Sequence, residues 1–351
     1  MSDPLPESHP TPSPGSAPQE STRPAPAGGE ATPSLRRAAI GHLKALRDGI
    51  GRVVLGQPRV IEQSLITLLC GGHALLEGVP GTAKTLMVRT LASLIDCRAK
   101  RVQFTPDLMP ADIIGTNIFN LQTRAFEMRQ GPIFTDFLIA DEINRTPAKT
   151  QSALLEAMSE SHATIDGVRH ELSPVFTVFA TQNPVEFEGT YPLPEAQQDR
   201  FLMKIKLDYP PEEAERAVMQ ALDAATPPEA ILLEEIKPVM TVADIIGVRR
   251  LLTGVRVEPG VLDYVLKIVR STRGHDLLLM GAGPRGSMSL LQAAKGQALL
   301  RGRDFVSPDD VVAMVDPVLG HRVVLSAEAE VSGERTSGVL QSILDRIEVP
   351  R

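Results

Sequence analysis

The sequence predicts an α/β domain followed by a smaller helical domain. Three observations carry that prediction. An apolar run, His73 to Leu76, leads through Gly78-Val79-Pro80-Gly81-Thr82-Ala83-Lys84-Thr85 into a helical pattern that reaches about Ile95. A second apolar run, Phe137-Leu138-Ile139-Ala140, ends on Asp141-Glu142; strands buried on both faces read as such continuous runs. Beyond Pro210 the strand patterns largely stop and helical spacing takes over.

Taken in order, residues 1–34 are rich in Pro, Ser, Thr, Ala and Gly. Such a segment buries too little apolar surface to order itself, so a solvated tail is expected. Leu35, Ala39, Leu43, Leu46 and Ile50 have helical spacing to about Arg52. The pattern breaks at Val53 to Gln57, and Pro58 suits the first turn of a helix running to about Cys70. Gly71-Gly72 ends it and the first strand begins.

Strand, glycine loop, Lys-Thr and helix form the phosphate-binding loop pattern. Gly78 and Gly81 let the backbone wrap a triphosphate with N–H groups inward. The following helix aims its positive end at the phosphates. Lys84 is expected to reach the β- and γ-phosphates, and the Thr85 hydroxyl to ligate Mg²⁺. The pattern asks for Gly where this chain has Ala83, so a negative φ is expected there. A plain strand–turn–helix corner is the alternative for the loop taken alone.

Further along, Arg101 to Phe104 reads as a short strand, and residues 116–129 as a hairpin turning near Asn120 to Arg124. Asp141 would hold Mg²⁺ through its water shell, and Glu142 would polarise the attacking water. A capping acid at a helix start is the alternative. An amphipathic helix follows, Lys149 to Ser159. Asp166-Gly167 between alternating residues signals a second hairpin. Val175 to Ala180 is another buried strand, and Asn183 lies just past its end, at the ligand crevice of a parallel sheet. Asn183 could touch the γ-phosphate or orient the water; a turn-forming Asn before Pro184 is the alternative. Arg200 stands just before a last strand, Leu202 to Leu207. Helices are expected around 212–223, 241–253, 259–272, 285–301 and 308–316. Arg285 opens one of them, either able to swing towards the nucleotide or simply solvated.

Composition excludes several classes. The chain has 351 residues, 4% of them aromatic, with no Trp, so stacking platforms for single-stranded nucleic acid are not expected. A net charge of −7 also argues against a nucleic-acid partner. No apolar run is long enough to span a membrane, and the start lacks a signal-peptide core. Cys70 and Cys97 sit in apolar segments, as reduced core thiols of a cytoplasmic protein do.

The order of phosphate loop, Asp-Glu strand, Asn strand and late arginine resembles an AAA+ ATPase. Gly78–Thr85 as GVPGTAKT, Ala140–Arg145 as ADEINR, Ala180–Pro184 as ATQNP and Glu195–Phe201 as EAQQDRF resemble the MoxR family more closely still. So do Phe104–Pro110 and Thr150–Glu156, and the match spans about residues 38–325. That family also tends to carry Ala at the position of Ala83. The resemblance implies a three-layer αβα core with a five-stranded parallel sheet over residues 35–209, then a helical lid over 210–351. It implies ATP and Mg²⁺ at subunit interfaces of a ring, usually a hexamer, and chaperone-like remodelling of a client. A von Willebrand factor A domain partner and a role in maturation or metal insertion often accompany it. By motif, Asn183 corresponds to sensor 1, Arg200 to the arginine finger and Arg285 to sensor 2, while Val54, Gly56 and Gln57 lie where adenine is enclosed. The hairpins at 116–129 and 163–172 match insertions facing the ring pore, without an aromatic–hydrophobic–Gly motif for peptide threading. A nucleic-acid motor and a nucleotide-gated scaffold with little turnover are the competing functions.

Overall fold

The computed structural model describes residues 33–184, 189–224 and 226–350. The expected tail therefore lies almost wholly outside the described residues, which fall within one compact unit. Five strands form its sheet: β1 Ala74–Gly78, β2 Ala99–Gln103, β3 Phe137–Asp141, β4 Thr177–Gln182 and β5 Met203–Leu207. They lie in the order β5-β1-β4-β3-β2, all parallel. Because successive side chains in a strand point to opposite faces, each of the three inner strands feeds two cores. Leu76, Ile139, Phe179 and Ile205 enter one; Leu75, Leu138, Ala140, Val178 and Ala180 enter the other. Helices α1 Pro33–Val53, α2 Pro58–Leu69 and α3 Lys84–Leu94 cover the first face, and α4 Ala148–Glu160 covers the second. The strand β2 at the sheet edge is charged and mostly exposed, which discourages edge-to-edge pairing.

His73 ties these layers together just before β1. Its ring is buried; Nδ1 accepts from the Val178 N–H at 3.0 Å, and Nε2 contacts the Met158 carbonyl at 3.1 Å. Since a carbonyl only accepts, Nε2 carries the proton and the ring is neutral. Burial pushes its pKa down to about 4.

Both hairpins form. Gly115–Asn120 pairs with Ala125–Gln130, and His162–Ile165 pairs with Val168–Glu171. Asp166 and Gly167 have φ of 48° and 80°, the left-handed pair that a two-residue hairpin turn requires. The first hairpin exposes Phe126 and Leu121, with Phe119 edge-on to Phe126 at 5.3 Å. An Asn117–Asp166 hydrogen bond of 2.7 Å joins the two hairpins.

The second half folds as helices α5 Glu212–Asp223, α6 Val242–Thr253, α7 Pro259–Thr272, α8 Pro284–Leu300, α9 Pro308–Leu319 and α10 Thr336–Arg346. The expected five are all present; α9 runs on through Pro317 to Leu319. Helix α10, the short helix Pro228–Glu234 and a small antiparallel pair, Leu278–Met280 with Val324–Leu325, add to the expected set. Helix α8 seats on α2 so closely that a Cβ on Gly296 would lie 2.8 Å from Ile66. Beside it, Gln292 Nε2 donates to the Cys70 carbonyl at 2.6 Å. Helix α1 packs against α2 and α3 and also against α6 and α8, so the two halves share one apolar cluster.

Candidate nucleotide-binding site

Every strand of the sheet ends on the same side, and the candidate residues gather there, as the crevice rule for parallel sheets requires. The loop after β1 closes on itself. Lys84 Nζ donates to the carbonyls of Gly78 and Val79, the latter at 3.1 Å, and Thr82 Oγ1 donates to the Val79 carbonyl at 2.9 Å. Two expectations for this loop need correction. Ala83 sits at φ 62°, in the left-handed region, where a negative φ was expected. The turn must reverse before the first helical residue, and the alanine takes the left-handed conformation at a cost of about 1 kcal/mol. Gly78 belongs to β1, paired with Leu207, and a Cβ there would meet the Leu207 carbonyl at 2.5 Å. Its glycine is thus required by the neighbouring strand; Gly81, at φ 84°, is the one required by the turn.

The two acids occupy different environments. Asp141 is 4% exposed and holds three partners. Thr85 Oγ1 lies 3.2 and 3.3 Å from its two carboxylate oxygens, Thr181 Oγ1 lies 3.2 Å from Oδ1, and Arg101 Nε lies 2.5 Å from Oδ2. Thr85 and Asp141 offer hard oxygens in the lining of the crevice, a donor set that suits magnesium completed by phosphate and water. Glu142 follows with φ 57°, in the left-handed region that non-glycine residues adopt infrequently. Its N–H donates to Thr181 Oγ1 at 2.9 Å. Its carboxylate accepts from Gln103 Nε2 at 2.5 Å and pairs with Arg145 at 3.2 Å.

These groups line a cavity of about 370 Å³ bounded by Pro80 to Leu86, Arg89, Arg101, Gln103, Asp141, Glu142, Thr181 to Asn183, and Glu229. Asn183 is 6% exposed at its wall. A larger open cavity of about 520 Å³ adjoins it across Arg89 and Arg101 but holds neither the loop nor the acids. Gly78 and Val79 are not among the residues that line this cavity. Val54, Gly56 and Gln57 lie outside the cavity lining. Gly56 faces Pro210, Pro211 and Ala214, and Gln57 donates to the Asp208 carbonyl at 2.9 Å. Arg200 is exposed, away from this cavity, donating to the Leu155 carbonyl at 3.1 Å and to Ser159 Oγ. Arg285 is also exposed and lies 3.4 Å from Asp199. Sequence reading did not single out Arg101, Gln103, Thr181 or Glu229. Arg101 and Gln103 alternate along an edge strand, and only its pairing with β3 (Gln103 opposite Asp141) shows that they meet the acids.

Residues 73–203 match the model of the ATPase family associated with various cellular activities (AAA), and residues 270–343 match that of the AAA lid domain. "Chaperone MoxR1" of Mycobacterium tuberculosis is 42% identical over 86% of this chain and 81% of its own length. "Protein MoxR" of Paracoccus denitrificans is 32% identical over 84% of this chain and 91% of its own. The chain belongs to the MoxR family of AAA+ ATPases. A Bacillus subtilis relative, "Uncharacterized protein YeaC", is 45% identical over 86% of this MoxR-family chain and 92% of its own length. A crystal structure from Cytophaga hutchinsonii superposes with a TM-score of 0.83 at 40% identity, covering 91% of this chain and 98% of that one. The AAA+ core and the helical lid are thus both present. Among the described residues no helix is long and apolar enough to cross a membrane.

Proposed function

We propose that this MoxR-family chain is a Mg²⁺-dependent ATPase that assembles into a ring, hexameric by the family pattern, and remodels a protein client in the cytoplasm. The observation that carries the reading is the single cavity wall shared by Lys84, Thr85, Asp141, Glu142 and Asn183. Lys84, held by two loop carbonyls, exchanges them for phosphate oxygens. Thr85 and, through water, Asp141 would hold Mg²⁺, which when bound supplies positive charge against the phosphates. Glu142 accepts the proton of the attacking water, and Asn183 orients that water or the γ-phosphate. Arg200, turned away from its own site, is offered to a neighbour's phosphate; Arg285 reaches the nucleotide as the lid moves; Val54, Gly56 and Gln57 enclose the adenine. The core spans residues 35–209 and the lid 210–351. The client role follows the name of the chaperone relative, and extends to maturation or metal or cofactor insertion with a von Willebrand factor A domain partner.

Two variants test the reading. Lys84→Ala should lose binding of a fluorescent ATP analogue; unchanged affinity would remove the nucleotide from this loop. Glu142→Gln should keep binding and lose turnover, because an amide cannot take the water's proton. A wild-type protein that binds ATP but never turns it over would instead favour a nucleotide-gated scaffold, and strong stimulation by DNA would favour a nucleic-acid motor.

A further inference from the structure

Arg322 is a buried arginine that the catalytic scheme leaves unused. It follows α9 in the helical half, its side chain is 2% exposed, and it spends its guanidinium on both halves of the molecule. From the core side, Nε pairs with Asp199 Oδ1 at 2.8 Å. Nη2 donates to the Phe201 carbonyl at 2.6 Å and to the Asp199 carbonyl at 3.3 Å, and Nη1 to the Leu202 carbonyl at 3.1 Å. From the helical side it donates to the Val318 carbonyl and, at 3.3 Å, to Ser289 Oγ of α8. The adjacent His321, also buried, adds a contact to the Phe201 carbonyl at 3.2 Å. Arg285 brings a second lid cation to the other Asp199 oxygen at 3.4 Å.

The four core residues in this clamp's reach are Asp199 to Leu202. Phe201 and Leu202 are buried and Asp199 is partly so; Arg200 alone is exposed, and Arg322 makes no bond to its side chain. The lid therefore grips the chain on both sides of the one residue that points outward. Taking a guanidinium out of water is costly unless its donors are satisfied, and apolar packing would join two domains as firmly. What a forked, multiply bonded cation adds is a fixed register between the lid and this four-residue segment.

We propose that Arg322, through Asp199, is the positioning residue for Arg200, so that the lid of one subunit sets where that subunit's arginine meets its neighbour's nucleotide. The inference rests on the reading of Arg200 as a trans-acting finger. It makes lid and finger a single moving part: a lid displaced over its own nucleotide carries Arg200 with it and changes hydrolysis next door.

The experiment uses the full-length chain and four variants: Arg200→Ala, Asp199→Asn, Arg322→Lys, and the double variant Asp199→Asn with Arg200→Ala. ATP-analogue Kd, KM, kcat and assembly size are measured for each. Asparagine keeps the shape and the carbonyl contacts of Asp199, and lysine keeps a cation, so both should fold where Arg322→Ala need not. The expected result is an unchanged Kd and a kcat lower by about tenfold to a hundredfold for Asp199→Asn and Arg322→Lys, the size of a misplaced catalytic group. The double variant should be no slower than Arg200→Ala alone, because residues acting as one unit are not additive. A slow Arg200→Ala beside normal kcat in both clamp variants overturns the inference and leaves the finger intact. Losses that multiply in the double variant also overturn it, since a merely structural clamp would act independently of Arg200. A normal kcat in Arg200→Ala removes the finger reading, and the inference with it.

Discussion

At the scale of single residues, two left-handed positions mark the site. Ala83 at φ 62° and Glu142 at φ 57° flank the cavity, one before the phosphate-loop helix and one after the acid strand. At an ordinary position Ala→Gly costs roughly 0.5–1 kcal/mol through the greater freedom of the unfolded chain. At Ala83 the relief of left-handed strain offsets that cost, so Ala83→Gly should be neutral or stabilising by about 1 kcal/mol in urea denaturation. A loss of similar size would mean the turn imposes no strain on alanine. Gln103 supplies a second test. Its amide donates to the Glu142 carboxylate at 2.5 Å and so ties up an oxygen that proton transfer would use. Gln103→Leu should raise basal ATPase a few-fold at unchanged ATP affinity. A fall in turnover would show that the amide aims Glu142 and does not restrain it.

At the scale of elements, the arginine before β5 is separated from the loop after β1 although the two strands are neighbours. Strand direction explains it: the loop leaves β1 at the C-terminal edge of the sheet, and Arg200 approaches β5 at the opposite edge. There it lies against the C-terminal turn of α4, bonded to Leu155 and Ser159. A residue so placed cannot serve its own cavity without leaving the sheet edge. Arg200→Ala should therefore bind ATP nearly normally and hydrolyse it more slowly by about 10³–10⁵, the range for arginines that neutralise a transferring phosphoryl group. Mixing it with Glu142→Gln should restore part of the turnover, since each variant supplies what the other lacks at mixed interfaces. No recovery at any ratio, with mixed assembly confirmed by cross-linking and an unmutated protein diluted by each variant as the control for concerted firing, would count against action in trans.

At the scale of the whole molecule, stability depends on buried groups kept in one protonation state. His73, bridging β4 and α4, has its pKa lowered from 6.5 to about 4, first by burial, with Arg249 nearby acting in the same direction and the Met158 carbonyl opposing. Between those values the unfolded chain takes up a proton that the folded chain refuses, so stability is complete above pH 6.5 and falls as the pH drops towards 4. The full effect is roughly 3 kcal/mol. His73→Gln can still accept from Val178 and donate to Met158 but does not titrate. Urea unfolding at pH 7 and at about pH 4.5 should therefore show a smaller pH dependence for the variant than for the unmutated protein. Equal dependence in the two proteins would rule out His73 as the acid-sensitive group.

The sequence by itself determined the sheet strands, the glycine turn after β1, the Asp-Glu step that ends β3 and the two hairpins, because each is local. A run buried on both faces, a glycine turn and an Asp-Gly hairpin state their structure within a few residues. It determined the family for the same reason, through short contiguous motifs. Only the tertiary structure decided what depends on pairing across distance. Gln103 and Arg101 become site residues because β2 lies in register beside β3. Gly78 is fixed by a carbonyl of β5, far along the chain. Arg322, one arginine among many in the sequence, becomes the joint between core and lid because its guanidinium is buried against Asp199 to Leu202, more than a hundred residues earlier. Such contacts leave no periodicity to read: a single buried polar group is chosen by its partners, and the partners are assembled only when the chain has folded.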